Sequence, residues 1–405
     1  MVHAIRTFYK KTSHPRTSQL ALVTLITLFF FGGCGGPETK DSGDFLKQAL
    51  AGQDPAIKKV MQQPEHFELQ MQLILPKDIT LLNTGQDQNM TPAVHEVDYS
   101  QGQYFYPAST VKLPVAVLAA EWAELHPKIN IITPYRIEND STSHYIAQDI
   151  VKIFSVSDNQ AFNRLYDLLG RDYINRRMAE LAVGPFRLAH RLSVENAAAS
   201  QHPVFLFETD QGLQRLQAEP DQPIESIDIL GTLKGVGYKQ DEQMVRRPMD
   251  FSRKNYFPLQ TMMKFMQVLF PTECAGCPSK LKWLKNTEDF VKSVMSTVPR
   301  KQGYDESEYP DGYVKFFFLG DTKQRIDPSL KIHNKVGYAY GTLTDIAYVV
   351  DTKHKLNYLL GATLLVNENG IFNDNTYEYE TVGLPFLAKV SRGLHQLLIE
   401  AKSGG

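Results

Sequence analysis

The spacing of hydrophobic positions changes along the chain, and each change marks a different element. Phe67, Leu69, Met71, Leu73 and Leu75 alternate with Glu68, Gln70 and Gln72, the period of a half-buried strand that Pro76 ends. Two short helical pieces are expected before it, around 44–51 and 55–62, and an extended segment after it, near 93–99. Val111, Val115, Leu118, Trp122 and Leu125 recur at helical spacing and predict a buried amphipathic helix opening at Ser109. Pro114 near its start predicts a distorted first turn. From about 144 to 183 the pattern is helical, with breaks at Val156-Ser157 and Gly170. Residues 200–247 lose that period, and short extended runs punctuated by Gly231, Gly235 and Gly237 read as an inserted hairpin region. Helix returns over 256–295. Three strand-like runs follow at 332–339, 343–351 and 356–366, and Leu384, Leu387, Val390, Leu394 and Leu397 close the chain as an amphipathic helix. This order predicts one α+β domain over 44–405, with an all-helical subregion and an antiparallel sheet shared by the N- and C-terminal segments.

The N-terminus reads differently. Arg6, Lys10, Lys11 and Arg16 form a basic stretch without an acid, and residues 20–31 form a largely apolar run too short to span a bilayer. The run ends in Phe31-Gly32-Gly33-Cys34, which resembles a bacterial lipoprotein processing site. That resemblance implies a signal peptide over 1–33, lipidation of Cys34, a short tether over 34–43, and a cell-envelope protein held at the membrane by its lipid. Removing 1–33 takes four basic residues and shifts the formal charge from −2 to −6. A mildly acidic surface argues against nucleic acid as a partner. At 42% hydrophobic and 11% aromatic, the chain can bury a large core. Cys274 and Cys277 remain in a Pro-flanked Cys-Ala-Gly-Cys loop. In an oxidising compartment a local disulfide is expected there, and zinc would need two more ligands, which no nearby Cys or His pair supplies.

The candidate chemistry begins at Ser109-Thr110-Val111-Lys112. On a helix, positions three apart share a face, so Lys112 could act as the base that a weak serine nucleophile needs. Burial would lower the lysine pKa towards neutrality. A second copy of the pattern, Ser279 to Lys282, sits in a polar lysine-rich stretch and reads as a solvated helix face. Ser157-Asp158-Asn159 alone reads as a helix N-cap, Lys335-Val336-Gly337 as a strand end, and Gly235-Val236-Gly237 as a turn. His190 and His333 lie near these motifs, and no role is implied for them.

Taken together, Ser109-x-x-Lys112, Ser157-Asp158-Asn159 and Lys335-Val336-Gly337 resemble the ordered motifs of the serine β-lactamase and penicillin-binding superfamily, closest to class A β-lactamase-like hydrolases. The resemblance runs from about 67 to 398. It implies that Ser109 is acylated, Lys112 takes its proton, and Ser157 relays a proton to the leaving group. Asn159 would orient substrate and hold Lys112. Lys335 would keep Lys112 neutral and draw in a substrate carboxylate, with Val336 and Gly337 lining the substrate. The amides of Ser109 and Tyr338 would form the oxyanion hole. No cofactor or metal is implied, and a monomer is expected.

Two residues depart from that pattern. Val336 stands where the family has threonine and lacks its hydroxyl. Ser193 stands where class A members place the deacylating glutamate, so Glu195, two residues later, is the candidate base. Both departures argue against efficient β-lactam hydrolysis. The expected activity is a serine hydrolase working on an amide or ester, such as a β-lactam or a cell-wall peptide. The rivals are a D-alanyl-D-alanine peptidase and a catalytically silent lipoprotein that binds cell-wall fragments or a protein.

Overall fold

The computed structural model describes residues 44–76, 93–271 and 280–403. Cys34, the signal segment and tether, Cys274, Cys277 and Ser279 lie outside the described residues.

Strands β1 (Gln70–Leu75) and β2 (Ala93–Asp98) join the late strands β10 (Leu330–Ala339), β11 (Thr342–Asp351) and β12 (Leu356–Leu365) in one antiparallel sheet. Its order is β10-β11-β12-β1-β2, so the chain's two ends meet between β12 and β1. Smaller sheets decorate this frame. β3 (Tyr135–Ile137) pairs with the hairpin β4 (Phe205–Thr209) and β5 (Gly212–Leu216). β6 (Leu233–Lys234) pairs with β9 (Met249–Asp250), and the hairpin β7 (Gly237–Gln240) and β8 (Gln243–Val245) takes β13 (Ile371–Phe372) alongside.

The main sheet divides the core because alternate side chains point to opposite faces. Met71, Leu73, Leu75, Tyr358, Leu360 and Ala362 face one layer, with helices α1 (Phe45–Leu50), α2 (Pro55–Met61) and α9 (Leu384–Ser403). Ile74, Ile346 and Leu359 face the other, where α3 (Lys112–Leu125) is the centre. Around α3 pack α4 (Ile146–Val156), α5 (Asn159–Leu169), α6 (Arg171–Glu180), α7 (Leu259–Leu269) and α8 (Lys285–Met295). Eleven of the fourteen α3 residues are buried, including Lys112 and Glu121, so this helix is enclosed rather than amphipathic. Glu121 is matched by Arg177, whose guanidinium donates to both carboxylate oxygens at 2.7 and 2.8 Å. Gly361 lets α7 approach the sheet, since a Cβ there would stand 2.4 Å from Met263 Sδ.

Candidate active site

Ser109 sits in a 3-10 turn over Ala108–Val111 that precedes α3. Ala108 holds φ +47, a left-handed conformation costly for a residue with a Cβ. The α-helix proper begins at Lys112, and Pro114 falls in its first turn, where its missing amide costs little. The distorted start expected from Pro114 is present.

The i, i+3 spacing suggested that Lys112 would reach the Ser109 hydroxyl. In the structure the Lys112 amine instead donates to the Ser157 carbonyl, to Asn159 Oδ1 at 2.6 Å and to Ser157 Oγ at 3.3 Å. Ser157 and Asn159, at the α4–α5 junction, supply the acceptors that a buried amine needs. Ser157 reaches this position by ending α4 in the left-handed region, φ +56. Asp158 does the capping that the motif suggests, accepting from the Ala161 amide at 2.7 Å. Its neighbours are thereby left to face the lysines.

Lys335 approaches from β10 and donates to Ser157 Oγ at 2.9 Å and to the Val336 carbonyl at 2.8 Å. One hydroxyl therefore stands between two buried amines. Burial pushes the Lys112 pKa down to about 7 against the opposing pull of Asp158. Burial lowers Lys335 well below the usual lysine range too, and the charge of Lys112 lowers it further, with Asp345 opposing. Burial thus does most of what was expected of Lys335 as the neighbour that keeps Lys112 neutral.

Gly337, two residues along the same strand, presses on the Ser109 turn. A Cβ there would lie 2.9 Å from Pro107 O, Ser109 N and Thr110 N. Only glycine lets the strand bring the Tyr338 position beside the Ser109 amide. Ser109, Ser157, Asn159, Val336, Gly337 and Tyr338 line one cleft of about 1010 Å³, walled further by Tyr106, Tyr313, Tyr340, Tyr377 and Tyr379. Val336 is also packed in the layer beneath the sheet.

Glu195 does not reach this cleft: it is exposed and absent from the lining. Ser193 is the loop residue that arrives, accepting from Asn159 Nδ2 at 3.0 Å. The loop is set by other residues. Asn163 exchanges hydrogen bonds with Leu192, and Arg191 donates to Asp167 and to the Ala199 and Gln201 carbonyls. His190 is half-buried and stacked on Tyr106, its ring nitrogen against Arg191 O, and desolvation lowers its pKa to about 4. His333 meets the Lys292 carbonyl at 2.8 Å.

His202 closes the loop, placing one ring nitrogen 2.9 Å from Asp167 and the other 3.2 Å from Asp221. Burial alone would lower its pKa, but the two carboxylates outweigh it and raise the group to about 9. A raised folded pKa gives stability that is complete below the ordinary value of 6.5 and lost as pH climbs through about 9. The stability advantage of the wild type over a His202→Gln variant is therefore expected to shrink between about pH 7 and 9.5. Differential scanning calorimetry of both proteins across that window checks this.

Three residues without a motif complete the surroundings. Lys315 donates to Asn334 Oδ1 and to the Met295 carbonyl, and Asn334 in turn donates to Asp345 Oδ1 at 2.8 Å. Asp345 also accepts from the Phe317 amide at 3.0 Å. All three are buried behind Lys335, and Asp345 is the carboxylate that opposes the lowering of Lys335. A charged residue inside the apolar run 343–351 was the available sequence signal for Asp345. Nothing marked Lys315.

A mixed sheet-and-helix fold of two core layers, with a serine, two lysines and a second serine gathered at their seam, defines a β-lactamase-like protein. The chain matches the Beta-lactamase enzyme family over residues 88–364, and it belongs to that family. Among solved structures it is similar to a β-lactamase from Desulfarculus baarsii DSM 2075, at 13% identity and a TM-score of 0.48, covering 87% of this chain and 97% of that one. A β-lactamase from Sphaerobacter thermophilus DSM 20745 is 13% identical with a TM-score of 0.46, over 87% and 96% of the two chains. The protein named PBP-A is 12% identical with a TM-score of 0.48, over 90% and 99%. No curated protein matches the chain.

Proposed function

We propose that this protein is a serine hydrolase that forms an acyl-Ser109 intermediate from an amide or ester in the cell envelope. The observation that carries the reading is Ser157 Oγ, which lies 3.3 Å from Lys112 Nζ and 2.9 Å from Lys335 Nζ at the floor of the Ser109 cleft. A neutral lysine amine has two N–H groups and one lone pair. Asn159 Oδ1 and the Ser157 carbonyl occupy the two donors, leaving the lone pair for a hydroxyl proton.

In the proposed reaction, bound substrate turns the Lys112 amine from Ser157 Oγ to Ser109, and Ser109 Oγ attacks the carbonyl carbon as its proton passes to that amine. The oxyanion meets the amides of Ser109 and Tyr338. Ser157 then gives its proton to the leaving nitrogen or oxygen and recovers one from Lys112, so the amine ends neutral. Water releases the acyl group in the second half.

The substrate class is a β-lactam or a cell-wall peptide. Ser193 in place of a carboxylate favours a slowly hydrolysed acyl-enzyme, as in a penicillin-binding peptidase, over rapid β-lactam turnover. Anchoring through a lipid on Cys34 would place the site outside the cytoplasm.

Mass spectrometry after incubation with a fluorescent penicillin and, separately, a fluorophosphonate tests the reading. An adduct on Ser109 is expected from at least one probe, and no adduct from either on folded protein would overturn it. A Ser193→Glu variant brings a carboxylate to the group that faces Asn159. It is expected to shorten the lifetime of a Ser109 adduct by about tenfold or more, given the usual worth of a general base. Release rates followed by intact-mass spectrometry check this.

A further inference from the structure

A second constellation lies at the end of the main sheet away from the cleft. Asp351 ends β11, His354 occupies the turn into β12, and His395 projects from α9. Their ligand atoms Asp351 Oδ2, His354 Nδ1 and His395 Nε2 all lie within 4.8 Å of one another. Oδ2 is 2.6 Å from His354 Nδ1 and 3.0 Å from His395 Nε2. We infer that these three residues form a binding site for a divalent transition ion of the zinc type, clasping the β11–β12 turn to the C-terminal helix.

The donor set is two imidazole nitrogens and one carboxylate oxygen, which suits zinc better than calcium or magnesium. Each ligand is held from behind. The other oxygen of Asp351 accepts from the Lys353 and His354 amides at 2.9 and 3.0 Å, which fixes the carboxylate and aims Oδ2 at both rings. His395 meets the Tyr358 hydroxyl through Nδ1 at 3.1 Å, the kind of supporting bond that orients a metal-binding imidazole. The Phe318 ring stands edge-on to it at 5.3 Å. Ligands about 2.0–2.1 Å from zinc sit roughly 3.3 Å apart in a tetrahedron. Each ring nitrogen must therefore move out from Oδ2 by under about 1 Å, and the two nitrogens, now within 4.8 Å, must come to a like distance from each other. Each coordinating nitrogen gives its proton to the far side of its ring or to water. Asp351 is 4% exposed at its side chain and His354 34%, so the fourth position faces solvent.

Asp351 lies seven residues along β11 from Thr344, the partner of Gly337, or roughly 23 Å at strand spacing. An ion there acts on the fold and leaves Ser109 untouched, so its test is independent of the proposed hydrolase activity.

Metal-stripped protein titrated with zinc chloride in a calorimeter is expected to take up one ion saturably. Zinc at a hundred times its dissociation constant should raise the melting temperature by roughly 3 °C for a chain of this size. His354→Gln alters a partly exposed turn residue and should fold normally while weakening binding at least about tenfold. X-ray absorption of the loaded protein should show two imidazole nitrogens. Two results overturn the inference: no saturable uptake by the wild type, or equal uptake by wild type, His354→Gln and His395→Gln. Either would leave the trio as an Asp–His hydrogen-bond cluster.

Discussion

A Lys112→Met variant is expected to acylate Ser109 about 10²–10⁴-fold more slowly than the wild type, the usual worth of a positioned general base. Methionine fills the volume and removes the amine. The fold should survive, because two effects oppose each other. Holding the Lys112 pKa at about 7 instead of 10.5 costs the wild type on the order of 5 kcal/mol in its charged form, and the variant is relieved of that. Against this, Asn159 Oδ1 and the Ser157 carbonyl each lose a donor, at about 1–3 kcal/mol apiece. The variant should melt within a few degrees of the wild type near neutral pH.

The same group sets a pH profile. The neutral amine is the base, so wild-type acylation should rise with pH through about 7 and level off above it. A folded pKa lowered from 10.5 to about 7 destabilises fully below 7, and the penalty fades between 7 and 10.5. This is opposite in sign to His202 over the overlapping window. Stopped-flow labelling with whichever probe acylates the wild type, run from pH 5.5 to 9, checks the kinetic part. A flat profile would remove Lys112 from its assigned role.

A Gly337→Ala variant is expected to lose about 10²–10³-fold in acylation, comparable to deleting an oxyanion donor. The added carbon would meet three backbone atoms at 2.9 Å, and backbone yields less readily than a flexible side chain. Either the Ser109 turn or β10 must shift, and both carry an amide of the proposed oxyanion hole. The stability cost of such overpacking is about 1–3 kcal/mol. Gly393→Ala in α9 is the control, since a Cβ there meets nothing within 4 Å. It should keep full labelling and gain about 0.5–1 kcal/mol from helix preference. Burst amplitude and rate, with melting curves for both variants, separate lost chemistry from lost fold.

The main elements could be read from the chain because their periods are long and clean. The strand through Met71 and Leu73, the three late strands and the C-terminal helix all fall within a few residues of the positions read from sequence. The gathering of Ser109, Lys112, Ser157, Asn159 and Lys335 followed from a resemblance and not from spacing. Spacing alone pointed Lys112 at Ser109, and acceptors far off in sequence, at the α4–α5 junction, drew it to Ser157 and Asn159. Glu195 was the carboxylate nearest in sequence, but the clamp of Arg191, Asn163 and His202 turns Ser193 to the cleft. Lys315 and the Asp351–His354–His395 trio join residues far apart in the chain, which only tertiary packing brings together.

The two core layers meet where the chemistry sits. Lys112 comes from the helix at the centre of one layer, while Lys335 comes from a strand whose neighbours Ile332 and Val336 pack into the other. Neither layer owns the shared Ser157 hydroxyl contact by itself. The proposed acylating centre would therefore act as a docking sensor, intact only while the sheet and the helical layer stay in register. A disturbance that slides one past the other by an ångström would silence Ser109 long before either layer melts.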